Sequence, residues 1–506
     1  MNLIFSSIPY CVGHLEKDFH GGSSLQINYV IPCPASIPFR SLKNPAWEWY
    51  IDGRKSEEET YLPPTLALVL CIAFVLFLLR LERKQSADVS RTLWIPTIWI
   101  LVTASKPLAA WFRVWSSDPE QGGDLDLAFQ AAFILVGIVI LIRRDFNWSA
   151  AMRENAWLMA LVIFMLISTL WSDLPLLSIK RWGKELLAIL MAFVVLSEPS
   201  PRHAMESILK RTTYILIPFS PILIKYFPEY GRLYNRWSGD EMWIGAANHK
   251  NSLACLCIIS ATFLIWSLIR RWQGNNPVGW KYQTYAEIML LALAFWLLGG
   301  PQGSIFYSAT SVYALCAGLL VYGGFHLAKR NKIQVSGGIL TTLVTVIIVF
   351  GIVSIFTGGS RLGFFASAAG RDATLTGRTQ VWTSLVPTVM KSPFVGRGFG
   401  VFWTPRRQDL FQISGAHNGY LDVLLGLGIV GILLVSSFFL SSCRKAYREL
   451  SHDFDWGALW ICYIIMSVVH NMGESSINSF TGYLSAIVLF ITVSSTNIIR
   501  AGGRTN

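Results

Sequence analysis

The sequence predicts an all-α polytopic membrane protein with about 12 to 13 transmembrane helices and one large external loop. Of its 506 residues, 53% are hydrophobic and 14% are charged, whereas soluble domains average about 25% charged residues. Apolar runs recur along the chain, many close to the length of about 20 residues that a helix needs to cross a bilayer. The net charge is +12, but Lys and Arg lie mostly between the apolar runs. This placement indicates membrane orientation rather than a nucleic-acid partner.

The chain divides into four predicted regions. Residues 1–60 form an N-terminal extension without a recognisable signal peptide, and 61–356 hold the first ten helices. Residues 357–417 form the large external loop, and 418–506 hold three more helices and a short cytoplasmic tail. The predicted spans lie at 62–80, 93–114, 125–142, 156–171, 182–197, 212–227, 253–269, 286–299, 310–328, 337–356, 418–441, 456–473 and 480–499. Several are short, so a count of twelve stays open.

The charges of the loops predict how the helices are oriented. Basic clusters recur in alternate loops, and the positive-inside rule places those loops in the cytoplasm. The loops between them are acidic or neutral; Ser116 to Asp126, for example, holds four acids and no base. The alternation places the N-terminal extension outside, where Cys11 and Cys33 would be free to form a disulfide.

One polar stretch, Gly359 to Gly431, breaks this rule because the alternation places it outside. Its acids ahead of the predicted span that begins at Asn418 are Asp372 and Asp409. Its seven bases are Arg361, Arg371, Arg378, Lys391, Arg397, Arg406 and Arg407. Two interpretations are open: long loops follow the rule weakly, or the stretch is a cationic surface for an anion. The planar fork of arginine is suited to phosphate.

Several motifs, taken in order, carry a resemblance to a known family. They are TLWSDLPLLSIKRW at 169–182, ANHKNSLA at 247–254, GRTQVW at 377–382, SPFVGRGFGVF at 392–402 and AHNGYLDVLLGLGIVGILL at 416–434. Their order and spacing resemble the O-antigen ligase and O-antigen polymerase superfamily, especially its ExoQ-like exopolysaccharide branch. The resemblance spans roughly residues 90–490, with the ligase-related region at about 290–440.

The resemblance implies a GT-C-like helical fold in the bacterial inner membrane, with the active loop on the periplasmic side. It implies that a saccharide is transferred from a polyprenyl-pyrophosphate-linked donor to the hydroxyl of a glycan or lipid-linked acceptor. In the family this reaction is inverting and independent of metals and cofactors. The external loop agrees, since it has no carboxylate cluster suited to magnesium. Ligase and polymerase stay open, and a transporter or flippase of lipid-linked glycans is the alternative.

The chemistry of glycosyl transfer suggests a role for each polar side chain. An acceptor hydroxyl must lose its proton as it attacks, and the departing pyrophosphate must be neutralised. His417, in the HN motif, is the predicted base, with Glu474 and Asp422 as alternatives; a lone histidine is more often structural. The predicted pyrophosphate ligands are Arg378, ranked first, and Arg361, Arg371 and Arg397. Further possible substrate-binding residues are Lys180, Arg181, Arg232, Arg236, His249 and Lys250.

Two local structures are also predicted in the external loop. Gly396, Gly398 and Gly400 suggest a tight turn with positive φ, not a phosphate-binding loop, because no strand precedes and no Gly-Lys-Ser/Thr follows. Thr379 to Lys391 suggests a short helix lying on the membrane with its apolar side inward.

Overall fold

A computed structural model describes residues 10–18, 24–32, 62–85, 88–113, 123–234, 239–274, 280–301, 307–359, 378–411, 413 and 415–495. The chain forms two units, Met1–Pro63 and Pro64–Asn506. The first contains an antiparallel hairpin of β1 (Tyr10–Asp18) and β2 (Ser24–Pro32), in which Tyr10 lies opposite Pro32. Sequence periodicity did not predict this hairpin. Cys33 and the side chain of Cys11 lie outside the described residues.

The second unit is helical. Its first part contains α1 (Pro64–Gln85), α2 (Trp94–Ala104), α3 (Leu108–Trp111), α4 (Asp124–Arg143), α5 (Trp148–Glu154), α6 (Ala156–Ile167), α7 (Pro175–Leu196), α8 (Pro201–Tyr226) and α9 (Pro228–Gly231). A small hairpin of β3 (Arg232–Tyr234) and β4 (Glu241–Trp243) follows. The remaining helices are α10 (Lys250–Gln273), α11 (Trp280–Gly299), α12 (Ala309–Arg330), α13 (Gly337–Phe356), α14 (Arg378–Met390), α15 (Pro405–Phe411), α16 (Gly419–Leu450), α17 (Phe454–His470) and α18 (Tyr483–Ser494).

The helices confirm the all-α polytopic membrane class. In the described part of the chain, seven helices are long and apolar enough to cross a membrane: α1, α4, α10, α11, α12, α13 and α16. The count becomes eight when the bent pair of α5 and the helix Ala156–Trp171 is taken as one span. Each of the thirteen predicted segments overlaps a helix. The total of 12 to 13 crossings stays a prediction, because the other helices are shorter or more charged.

Burial separates central helices from peripheral ones. In α10, 78% of the apolar window is buried, against 17% in α1 and 11% in α4. Helix α17 is buried along nearly its whole length and is apolar on all sides, as expected for a helix surrounded by others. Helix α14 begins one residue before the predicted helix, and its Trp382, Leu385 and Val389 are buried. These side chains pack within the protein, against α13 and α16, rather than on a membrane surface.

Helix α16 is broken at Gly428. Residues 393–400, the glycine turn, pack into this break. Gly428 has φ 64° and ψ −159°, a conformation open almost only to glycine. The amides of Arg397 and Gly398 donate to the carbonyls of Leu425 and Gly426 at 3.0 and 2.9 Å. In return, the amides of Ile429 and Val430 donate to the carbonyls of Pro393 and Phe394 at 2.8 and 3.0 Å. The freed backbone groups are thus satisfied within the protein.

Candidate active site

Glu474 joins four separate parts of the chain through its carboxylate. It lies in the loop between α17 and α18. Its Oε1 accepts hydrogen bonds from Arg378 Nη2 at 2.9 Å and Asn251 Nδ2 at 2.6 Å. Its Oε2 lies 3.2 Å from His417 Nδ1. Three distant parts of the chain therefore meet at the Glu474 side chain. They are the start of α14, the start of α10 and His417, which precedes the cap of α16.

The backbone around Glu474 is held in place by Asn471 and by the start of α16. The Asn471 side chain is fully buried, and its Oδ1 accepts from the amides of Ser476 and Ile477 at 2.8 and 3.0 Å. The amide of Gly419 donates to the carbonyls of Asn471 and Glu474 at 2.9 and 3.1 Å. A side chain at position 419 would overlap Asn471, so glycine is needed for this close approach.

The electrostatics of the cluster define which nitrogen of His417 carries the proton. Burial by itself would raise the pKa of Glu474. The hydrogen bond with His417 and the charges of Arg378, His417 and His470 outweigh it and lower that pKa to about 2. The carboxylate is therefore ionised at neutral pH and can only accept hydrogen bonds. His417 must donate from Nδ1, which leaves the lone pair on Nε2 when the ring is neutral.

His417 has an unusual backbone conformation. Its φ is 48°, in the left-handed region that non-glycine residues rarely occupy. Asn418 caps α16, because its side chain accepts from the amide of Leu421 at 3.1 Å. The carbonyl of Ala416 accepts from Trp382 Nε1 at 2.8 Å. Contacts on both sides thus fix a strained residue whose side chain is 31% exposed.

Arg378 and Arg397, both predicted to bind pyrophosphate, lie in different surroundings. Arg378 is occupied, since it bonds the Glu474 carboxylate and the carbonyl of Gly473. Arg397 lies in the glycine turn, with Nη1 4.0 Å from Asp173 Oδ2. Its Nε is buried and has no hydrogen-bond partner among the described residues. Of the two, Arg397 therefore has the guanidinium with more unused donors.

A second cluster of cations, Arg397, Arg407 and Arg181, lies at the glycine turn. Arg407 binds Asp173 at 2.6 Å and lies 4.8 Å from the centre of the Phe402 ring. Arg181 donates to the carbonyl of Gly400. Arg407 is thus part of this cluster. The predicted turn is confirmed: Gly396, Gly398 and Gly400 have φ of 63°, 99° and 72°.

The other predicted residues that the structure describes have separate contacts. His249 caps α10 beside Asn251, and burial lowers its pKa by disfavouring the charged ring. Lys250 Nζ lies 5.3 Å from the centre of the Tyr307 ring. Arg232 pairs with Glu241 at 3.0 Å in the β3–β4 hairpin, and Lys180 precedes Arg181 in α7. Arg361, Arg371 and Arg236 lie outside the described residues.

Some residues of the site were not predicted or were given another role. Asn251 and Asp173 lie within two of the motifs quoted above, but no function was predicted for either residue. Their polar side chains were the only feature of the local sequence that pointed to a role. Asp422 accepts from Trp403 Nε1 at 2.7 Å and from Ser475 Oγ. It therefore connects the segment after the glycine turn to the residue after Glu474. Across the described ranges, no group of three His, Cys, Asp or Glu residues could hold a metal ion.

Two comparisons with known proteins show what the chain is similar to. A family model described as O-Antigen ligase matches residues 304–436, which include Arg378, Arg397 and His417. The chain is 26% identical over 313 residues to the exopolysaccharide production protein ExoQ of Rhizobium meliloti (strain 1021), covering 59% of this chain and 67% of that protein. The chain is thus similar to the O-antigen ligase family over residues 304–436 and to an ExoQ protein over 59% of its length.

Proposed function

We propose that the protein transfers a saccharide from a polyprenyl-pyrophosphate carrier to an acceptor hydroxyl during assembly of a bacterial surface polysaccharide. The observation that carries this proposal is the contact of His417 Nδ1 with an ionised Glu474. It gives the chain a base whose free nitrogen, Nε2, can take a proton. The ExoQ relative supports exopolysaccharide as the product.

The base and the acceptor hydroxyl make up one half of the proposed reaction. Nε2 of His417 takes the hydroxyl proton while the acceptor oxygen forms a bond to the anomeric carbon. The imidazolium that results is stabilised by the Glu474 carboxylate at 3.2 Å. Arg378 and Asn251 hold that carboxylate in place. A single displacement of this kind inverts the anomeric configuration.

The departing pyrophosphate makes up the other half. As the bond from the anomeric carbon to the phosphate oxygen breaks, its electron pair stays on the polyprenyl pyrophosphate. Arg397 and Arg407 at the glycine turn supply positive charge where this negative charge develops. Asp173 Oδ2 lies 2.6 Å from Arg407 and 4.0 Å from Arg397, and Arg397 Nε has no hydrogen-bond partner among the described residues. In this proposal the arginines neutralise the leaving group, as a metal ion does in other transferases.

We place this chemistry on the periplasmic side of the inner membrane. The basic loops predicted for the cytoplasm lie at the other ends of the helices that carry the site. Residues 357–417 then form an external loop that reaches lipid-linked donors arriving in the outer leaflet. The polyprenyl chain would stay in the bilayer and leave only the pyrophosphate and glycan at the arginines.

The test uses purified protein in lipid nanodiscs with a lipid-linked oligosaccharide. We expect wild type to give longer lipid-linked chains, which indicates polymerisation, or a new acceptor conjugate, which indicates ligation. His417→Ala should lower the rate by about 10² to 10⁴-fold, the usual contribution of a positioned base. His452→Ala, at an exposed histidine in the α16–α17 turn, is the control. Unchanged transfer by His417→Ala would refute the role of this residue.

A flippase of lipid-linked glycans is the second candidate, favoured by the break of α16 at Gly428. Discontinuous helices line the substrate sites of many transporters. A flippase needs the arginines but no base. Movement of a fluorescent lipid-linked glycan across liposomes that is unaffected by His417→Ala, without any transfer product, would support this alternative.

A further inference from the structure

One face of α7 contacts both loops that carry the proposed chemistry. Ser178, Arg181 and Glu185 are three and four residues apart, so their side chains lie on the same side of the helix. Ser178 Oγ donates to the carbonyl of Phe399 at 2.7 Å, and Arg181 donates to the carbonyl of Gly400. These two bonds hold the glycine turn. Glu185 reaches the other loop.

Glu185 is a buried carboxylate, 2% exposed, whose two oxygens both bind the loop after Glu474. Its Oε1 accepts from Ser479 Oγ at 2.6 Å, and its Oε2 accepts from the amide of Phe480 at 2.6 Å. A buried carboxylate is costly unless it is hydrogen-bonded, so displacing the loop would leave Glu185 without these partners. The pairing therefore strongly favours one position of Ser479 and Phe480.

The loop between α17 and α18 is thus held at both ends, with Glu474 between them. Asn471 fixes the first end through Ser476 and Ile477. Glu185 fixes the second end, five and six residues after Glu474. Phe480 is buried, and its ring centre lies 5.6 Å from that of Phe438 in α16. A shift at this end would move the Glu474 carboxylate relative to His417.

We propose that Glu185 is a positioning residue: it holds the loop that carries Glu474 and so keeps His417 oriented for proton transfer. Through the same face of α7, the glycine turn and the Glu474 loop keep a fixed separation. Glu185 itself touches no substrate. This inference rests on the proposed transfer reaction.

The test compares variants at position 185 in the transfer assay. Glu185→Leu removes both hydrogen bonds and should lower kcat by about 10²-fold, as expected for a small misplacement of a catalytic group, with the KM for the donor unchanged. Glu185→Gln can still accept from the Phe480 amide and donate to Ser479 Oγ, so it should retain most of the activity. Ser479→Ala removes one of the two bonds and should give an intermediate rate.

A double-mutant cycle shows whether Glu185 acts through Glu474. In the Glu474→Gln background, adding Glu185→Leu should change the rate by less than about threefold, because the group it positions is already lost. If Glu185→Leu lowered the rate by the same factor in wild type and in Glu474→Gln, the proposal would be overturned. Glu198→Gln is the matched control. Glu198 is also buried and also accepts from a serine hydroxyl and a backbone amide, both of Ser90, but it has no contact with this loop.

Hydrogen exchange gives a readout that does not depend on activity. Glu185→Leu and Ser479→Ala should increase deuterium uptake in peptides covering 471–482, whereas Glu198→Gln should not. If the uptake of those peptides is unchanged in both variants, the inference is overturned. If Glu185→Leu folds poorly, Ser479→Ala alone decides the result. Absence of any transfer by wild type would instead refute the proposed function, and the exchange result would still decide whether Glu185 holds the loop.

Discussion

Glu474 affects both the stability of the fold and the proposed chemistry. It is ionised in a site that is 13% exposed, with three donors around its two oxygens. The same contacts that hold the carboxylate also decide the tautomer of His417. Losing the charge of Glu474 should therefore affect stability and turnover together.

The pH dependence of stability follows from the lowered pKa of Glu474. The pKa falls from 4.5 to about 2 on folding. The carboxylate thus contributes stability that is complete above about pH 4.5 and is lost as the pH falls towards 2. The full contribution is on the order of 3 kcal/mol. We expect Glu474→Gln to lower the Tm in detergent by a constant amount between pH 7 and 5. This difference should shrink below pH 4.5.

The control for this experiment is Glu229→Gln. Glu229 forms an exposed pair with Arg113 at 3.7 Å, and such pairs contribute little. The Tm of Glu229→Gln should therefore equal that of wild type at every pH. A Tm difference for Glu474→Gln that persists undiminished at pH 2.5 would contradict the assigned ionisation.

Arg378 and Arg397 should differ in the kinetic constant that each one changes. Arg397→Ala removes a cation that we propose binds the pyrophosphate, and it should raise the KM for the donor by about tenfold or more. Arg378→Ala releases Glu474 and should mainly lower kcat, by about 10²-fold. Steady-state kinetics with varied donor concentration separates the two effects. Arg406→Ala, at an exposed neighbour, should resemble wild type; an Arg378 variant that changed only KM would reverse the assignment.

At the residue level, the sequence predicted His417 and the arginines as site residues but did not predict their contacts. Charge and motif were enough to select these side chains. The partner of both His417 and Arg378 is Glu474, which is 57 residues from one and 96 from the other along the chain. Asn251 is 223 residues from Glu474. Contacts over such separations depend on how the helices pack, and no local pattern encodes them.

Among the elements, the break of α16 depends on glycine at position 428. A Cβ there would overlap the backbone of Phe394, and φ of 64° strains any other residue. Gly428→Ala should destabilise the protein by about 1 to 3 kcal/mol and separate the turn from the helix. Thermal unfolding in detergent measures this loss.

Gly323→Ala provides the comparison within the same fold. Gly323 lies inside α12, and a Cβ there would meet nothing within 4 Å. Alanine is favoured over glycine inside a helix by about 1 kcal/mol, so this variant should be as stable as wild type or more so. If Gly428→Ala and Gly323→Ala lowered the stability equally, the conformation at the break would not explain the need for glycine at position 428.

Apolar patterning predicted the helices well and the short elements poorly. Every predicted segment overlaps a helix because a span of apolar residues has few other structures available in a bilayer. The β3–β4 hairpin has three residues per strand, too few for a periodicity to be recognised. The apolar side of α14 was identified correctly, but hydrophobicity alone does not distinguish a face that meets lipid from one that meets protein.

For the whole molecule, the orientation in the membrane can be tested directly. We expect a cysteine at position 415, two residues before His417, to react with a membrane-impermeant maleimide added to intact cells. A cysteine at position 451, between α16 and α17, should react only after permeabilisation. The background lacks Cys11, Cys33 and the exposed Cys316; the other five native cysteines are buried. The opposite labelling pattern would place the site in the cytoplasm.

The pairing of the glycine turn with the broken helix also bears on how the protein is made. Residues 393–398 leave the ribosome before 425–430, because synthesis runs from the N-terminus. When the second half of α16 enters the bilayer, the partners for its open backbone groups are already present about thirty residues upstream, a short loop to close. A distant partner would leave bare amides and carbonyls in lipid until it arrived. The broken span can therefore be completed during synthesis, without waiting for the last two helices.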